Sequence, residues 1–445
     1  MKILLVNKYY YLRGGTERYF FDLKNLLEKN GHTVISFSMT HEKNEQSEWE
    51  KYFADEVDFE SYKVREVLFN IIKIFYNWDA VKKLRVLIKE ENPDIAHLHN
   101  IAHHLSPAII WTLKKYNIPI VQTLHDYKAI CPAYLLFRKE KECSLCSGGK
   151  FYNCFFKKCI KNSRVKSFLI MCEAYFHNMI IKTYNFVDLF IAPTNFVKNT
   201  CVKFGIKEER IKVVRGFLAG TVSNIEYKVS GKIDKDDYVS SPLEGGRGGS
   251  KREIGVLESG YLLYFGRLSR EKGIYVLLDA IQRVDDCIKL KIVGDGPEKK
   301  NLEFRIKNYE LRNKVEITDA RYGEELKEII REAAAIIVPS ICPESMCYSL
   351  IEAMALGKIV IASSIGGMKE FIKDKRNGFL FEPGNSKELG ERINTLFATE
   401  LLDPLMGLIP LDASDISRRA KETVSRLTPQ KHYEEIMKIY NKLIG

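Results

Sequence analysis

The chain has 445 residues, of which 45% are apolar and 29% charged, and it carries a net charge of +11. That length exceeds what one ordinary core serves, so two domains are expected, with the composition of a soluble globular protein. No apolar stretch reaches transmembrane length and the N-terminal apolar run is too short for a signal peptide, so the protein is expected to stay in the cytoplasm. The positive charge admits nucleic acid, an anionic membrane surface or anionic substrates as partners, and no nucleic-acid-binding signature accompanies it.

Lys2–Val6 is a short apolar run that predicts a buried strand. It leads through Tyr9–Arg13 and Gly14-Gly15 into Thr16–Lys29, where Phe20, Leu23, Leu26 and Leu27 recur at helical spacing until Gly31 stops them. Thr33–Phe37, Asp94–Leu98, Pro119–Leu124, Val187–Ala192 and Ile211–Arg215 are further strand-type runs. From 218 to 257 the apolar periodicity disappears and Ser240-Ser241-Pro242 precedes a Gly-rich stretch, so this segment reads as a linker or loop insertion. Strands then resume at Tyr261–Phe265, Ile288–Val293, Ala335–Pro339 and Ile359–Ala362, alternating with helices at Gly273–Val284, Glu324–Ala333 and Ser349–Ala355. Such alternation predicts βαβ units and, in each half, a doubly wound parallel sheet. The expected organisation is an N-terminal domain over 1–217 with a Cys-rich loop at 131–160, a linker over 218–257, and a C-terminal domain over 258–428. The amphipathic segment 429–445 is expected to return as a helix to the first domain.

Ligands of parallel sheets sit beyond the carboxyl ends of the strands, and four polar clusters fall there. Arg267, after the strand Tyr261–Phe265, and Lys272 near the next helix suit a diphosphate, one as a planar fork of donors and one as a point charge. Glu344 and Glu352 are eight residues apart around a helix start, where the free N–H groups near Tyr348 and Ser349 favour phosphate. Gly14 and Gly15 permit close backbone approach and positive φ. His125 ends the strand Pro119–Leu124 and suits a sugar hydroxyl. His97 and His99 are read as facing opposite sides of their strand, one of them structural.

This ordered set resembles glycosyltransferase family 4 on the GT-B fold, two Rossmann-like domains facing a central cleft. The resemblance rests on Gly266-Arg267-Leu268, Glu271-Lys272-Gly273, Val293-Gly294-Asp295-Gly296-Pro297, Pro339-Ser340, Glu344 to Glu352, Gly366-Gly367 with Glu370, and Asn377-Gly378. It implies a retaining, metal-independent glycosyltransferase that uses a UDP- or GDP-sugar and a saccharide or lipid-linked acceptor, with no catalytic cofactor. Arg267 and Lys272 would hold the diphosphate, Glu352 the ribose and Glu344 the donor sugar. Gly15 would approach the donor from the other domain, and His125 would sit beside the transferring sugar. Ser345-Met346-Cys347 stand where the family often has Pro-Phe-Gly, so the sugar pocket is expected to differ. A non-catalytic sugar-nucleotide binder and a nucleotide-sugar epimerase are the rival readings.

Two features stand outside this set. Cys143, Cys146, Cys154 and Cys159 have the spacing of a structural four-thiolate zinc site, with buried free thiols as the alternative. The same region is basic, with ten Lys/Arg against three Glu between Arg138 and Lys182, and its apolar run Phe155–Ile181 could rest on an anionic membrane or form a buried helix.

Overall fold

The computed structural model describes residues 1–57, 64–138, 141–219, 260–397 and 413–445. Apart from residues 218 and 219, the expected linker lies outside the described residues.

The N-terminal sheet contains β1 (Lys2–Val6), β2 (Thr33–Phe37), β3 (Ile95–Leu98) and β4 (Ile120–Thr123). A long excursion follows that holds the two-residue strands β5 (Phe137–Arg138) and β6 (Lys141–Glu142). The sheet then resumes with β7 (Leu189–Ala192) and β8 (Ile211–Val213). The C-terminal sheet contains β9 (Leu262–Phe265), β10 (Leu290–Val293), β11 (Val315–Thr318), β12 (Ala335–Val338), β13 (Ile359–Ser363) and β14 (Phe379–Phe381). The orders are β2-β1-β3-β4-β7-β8 and β11-β10-β9-β12-β13-β14, and both sheets are parallel throughout.

Burial on both faces explains the near-continuous apolar strands. In β9, Leu262 and Tyr264 enter one core layer while Leu263 and Phe265 enter the other. Each such buried side chain contributes about 1.5–3 kcal/mol relative to exposure. β11 and β14 are strands that the periodicity did not reveal. Glu316 interrupts the apolar run of β11, and β14 is only three residues long, Phe379-Leu380-Phe381.

The Pro429–Ile444 helix lies on the N-terminal domain. Ile436 and Tyr440 join its core, the Tyr440 hydroxyl meets His97 Nδ1 at 2.6 Å, and Tyr19 meets His432 Nε2 at 2.9 Å. Its Thr428 cap accepts from the Lys431 N–H, and Pro429 occupies the first turn, where no N–H is needed.

Candidate active site

The carboxyl ends of the two sheets face one another across a cavity of about 1360 Å³. Gly14, Gly15, His125, Arg267, Lys272, Glu344, Tyr348, Ser349 and Glu352 all line it, so every residue singled out for donor chemistry reaches one hollow.

On the C-terminal side, the loops after β9 and β12 lock together through backbone. Gly273 has φ +70°, and a Cβ there would sit 1.8 Å from the Pro339 carbonyl oxygen. That contact places Lys272 against the end of β12. Gly366, at φ +61°, backs the Glu344 loop in the same way, with a Cβ position 2.6 Å from the Glu344 nitrogen. Lys272 Nζ donates to Glu344 Oε1 at 2.6 Å, and Ser340 Oγ donates to the same oxygen at 2.7 Å. Burial works against the Lys272 ammonium, but its surroundings, led by the Glu344 carboxylate and joined by Cys347 and Cys342, outweigh it and hold the pKa above the usual lysine range. Arg267 is exposed at the mouth and has no ion-pair partner among the described residues.

The Tyr348–Ala355 helix starts at Cys347 without a side-chain cap, so its first N–H groups face the cavity end. Glu352 is 5% exposed on this helix. Burial raises its pKa, and the Arg18 guanidinium opposes that rise. Arg18 Nη1 donates to Glu352 Oε1 across the cleft, and Arg18 Nε lies 3.8 Å from Asp22. Neither Arg18 nor Asp22 stood out in the sequence, because an Arg and an Asp four apart on a helix read as a surface pair.

The N-terminal domain closes the cavity. Gly14 is extended at φ −175° and Gly15 opens the Gly15–Lys29 helix, so neither glycine uses the positive φ expected of it. Space is the reason at Gly15, where a Cβ would lie 3.2 Å from the Tyr348 ring. Tyr348 packs on the cores of both domains.

His125 Nε2 lies 2.9 Å from His99 Nδ1. His97 and His99 stack with ring centroids 4.6 Å apart, which corrects the expectation that they face opposite sides. Residues two apart on a strand share a face. Burial pushes the His125 pKa down to about 3, so its ring is neutral. The tripeptide that departs from the family pattern makes the crossing: Ser345 Oγ donates to the His125 carbonyl at 2.7 Å, and Met346 Sδ accepts from the Gly216 N–H at 3.2 Å. Glu370, matched as a motif but given no role, accepts from the Phe196 N–H at 2.7 Å and from Asn195 Nδ2 at 3.0 Å, capping an N-terminal-domain helix.

The four cysteines expected as zinc ligands lie in one neighbourhood, where Cys146 is acted on by Cys159 and Cys143, and Cys154 by Cys159 and Cys146. Among the described residues no group of three or more His, Cys, Asp or Glu side chains is arranged to hold a metal ion. Cys143, Cys146, Cys154 and Cys159 are free, and Cys154 pairs with Cys159 by a side-chain hydrogen bond that pulls the Cys159 thiol down to about 7. The short helix Tyr152–Phe156 and the turn that follows it bring these two thiols together, with the Cys159 N–H donating to the Cys154 carbonyl at 3.1 Å.

Two parallel sheets with their carboxyl ends around one cleft define a GT-B protein. A profile for family 4 glycosyltransferases matches residues 13–217 and one for group 1 glycosyl transferases matches 251–406, so this chain belongs to that glycosyltransferase family. It is 30% identical over 200 residues to an uncharacterised glycosyltransferase of Methanocaldococcus jannaschii, a match covering 44% of this chain and 52% of that protein. The chain thus spans about half the length of such curated relatives. It is also 24% identical to an alpha-monoglucosyldiacylglycerol synthase of Streptococcus pneumoniae, over 85% of this chain and 74% of the synthase. Anabaena HepE, solved with UDP and glucose, shares the fold at TM-score 0.61 and 19% identity, with both chains covered in full.

Proposed function

We propose that this protein is a retaining glycosyltransferase that moves a sugar from a UDP- or GDP-sugar to a saccharide or lipid-linked acceptor in cell-surface polysaccharide or glycolipid synthesis. The observation that carries this reading is the single cavity that gathers Arg267, Lys272, Glu344, Glu352, Gly15 and His125 from two domains. The structural likeness to a protein solved with UDP and glucose and the sequence likeness to a glycolipid synthase support it.

In this mechanism Glu352 accepts the ribose hydroxyls and Glu344 meets the donor sugar. The bond from the anomeric carbon to the diphosphate oxygen breaks, and an oxocarbenium-like sugar forms. Arg267, Lys272 and the free N–H groups at Tyr348 and Ser349 stabilise the departing charge, as oxyanion-hole donors do. The acceptor hydroxyl bonds to the anomeric carbon on the face the diphosphate leaves, and its proton passes to a leaving phosphate oxygen. No protein nucleophile is assigned. The cations that meet the leaving group belong to the chain itself, so the transfer is proposed to need no metal. The neutral His125 ring offers a hydrogen bond to the sugar without placing a charge beside it.

A thermal-shift screen of UDP- and GDP-sugars, followed by an assay for release of the nucleotide diphosphate, tests this function. One donor should stabilise the protein, and Arg267→Ala should turn it over ~100- to 1000-fold more slowly at saturation. Near-normal turnover in Arg267→Ala would remove the diphosphate assignment. Donor interconversion without release of diphosphate would favour an epimerase.

A further inference from the structure

The excursion between β4 and β7 holds the basic, apolar run that the cavity chemistry does not use. Its main helix, Arg164–Tyr175, continues through a wider turn over Phe176–Ile180. Ser167, Ile170, Ala174 and His177 turn inward and are buried. The other face should be polar on an ordinary surface helix, yet it carries Val165 at 79% exposure, Phe168 at 52%, Met179 at 50% and Ile180 at 69%. Phe156, 67% exposed, joins this face through Phe155, whose ring lies 5.3 Å from Phe156 and 5.8 Å from Phe168. Among the described residues, nine of the eighteen exposed large apolar side chains fall between Leu145 and Phe186. That concentration marks a contact surface rather than scattered exposure.

Exposed cations flank the apolar side chains. Lys150, Lys157, Arg164, Lys166 and Lys182 are exposed and have no ion-pair partner among the described residues. The carboxylate of the main helix, Glu173, is turned away: it is 1% exposed and accepts from Lys128 Nζ at 2.6 Å.

We propose that this face is a docking surface for an anionic lipid membrane. Protruding apolar side chains ringed by cations match an acyl boundary beneath anionic headgroups. A second copy of the chain would bring the same cations face to face, which like-charge repulsion disfavours. The surface is mechanically tied to the cavity. Lys128 lines the cavity wall and holds Glu173 on the inner side of the helix, so a docked face sets that wall of the cleft at a fixed height above the lipid. The inference goes beyond the transferase reading and does not depend on it.

The test is co-sedimentation of the full chain with vesicles of phosphatidylcholine alone, and with phosphatidylcholine and phosphatidylglycerol in roughly equal parts. The protein should pellet with the anionic vesicles only and be released as ionic strength rises from ~0.05 to ~0.5 M. Lys157→Glu/Arg164→Glu/Lys166→Glu should weaken binding by roughly 100-fold. Val165→Ser/Phe168→Ser/Ile180→Ser should weaken it at low salt too, with an unchanged melting temperature in the absence of lipid. Phe168→Ser alone serves if the triple variant does not fold. No binding of the wild-type chain to anionic vesicles would overturn the proposal. So would equal binding to neutral vesicles, insensitivity to the charge reversals, or a solution dimer that the Phe168→Ser change dissociates.

Discussion

The two sheets differ by one crossing. In the C-terminal sheet three strands run outward before the chain returns past β9, the 3-2-1-4-5-6 order of dinucleotide-binding folds. In the N-terminal sheet the chain turns back after β2, so β1 lies between β2 and β3. Each crossing opens a crevice at its switch point, and the two crevices form one cavity. They are built differently. The C-terminal crevice is lined by contiguous loops held backbone on backbone at Gly273 and Gly366. The N-terminal crevice takes single residues from distant places, Gly15 and Arg18 from one helix start and His125 from the end of β4, with a long excursion beside them. The C-terminal wall is therefore carried by a few strand-end loops of one domain, while the opposite wall draws single residues from widely separated elements.

The sharpest way to break that contrast is Lys272→Ala. It removes a cation proposed to meet the diphosphate and strips Glu344 of its 2.6 Å partner, so kcat should fall ~100- to 1000-fold. A loss confined to KM would show that Lys272 serves ground-state binding alone.

Next in size is a pair of glycines with similar backbone and different surroundings. Gly273→Ala should cost roughly 3 kcal/mol, because strain at positive φ adds to the clash with Pro339. Gly31→Ala has φ +80° but nothing within 4 Å, so about 1 kcal/mol is expected. Urea unfolding of both variants checks this, and equal losses would mean that the loop lock is not rigid.

Arg18→Met probes the contact that joins the halves. Burial raises the Glu352 pKa, so donor binding that needs its carboxylate is lost as pH falls through that raised value. The charged groups facing it are Arg18 and Asp22 from the Gly15–Lys29 helix and Lys327 from the Gly323–Glu332 helix. Without Arg18 the pKa rises further and the loss begins at higher pH. Calorimetry with UDP should find binding weaker than wild type, with a small deficit near neutrality that grows toward acid to a ceiling of about tenfold for each pKa unit displaced. A pH-independent deficit would show that Arg18 touches the nucleotide instead.

The smallest effect lies in the excursion. Iodoacetamide near neutral pH should label Cys159 before Cys154, since hydrogen bonding between them pulls the first down to about 7 and pushes the second up. Cys154→Ala should slow Cys159 labelling only a few-fold, because a less acidic thiol gives fewer but more nucleophilic thiolates. Mass spectrometry of the labelled peptides reads the order.

Most of the sheet strands and the donor-side residues were legible in the chain because their signals are local. Apolar runs mark strands buried on both faces, glycines mark strand-end loops, and Arg267, Lys272, Glu344 and Glu352 fall close to those loops in sequence order. Strand order, the pairing of Arg18 with Glu352 and the stacking of three histidines were not legible, because they join residues far apart whose local patterns are those of ordinary helix and strand surfaces. The cysteine spacing is a local signal of the same kind. Spacing along the chain limits which thiols can meet, and the short helix Tyr152–Phe156 with the turn after it sets Cys154 beside Cys159.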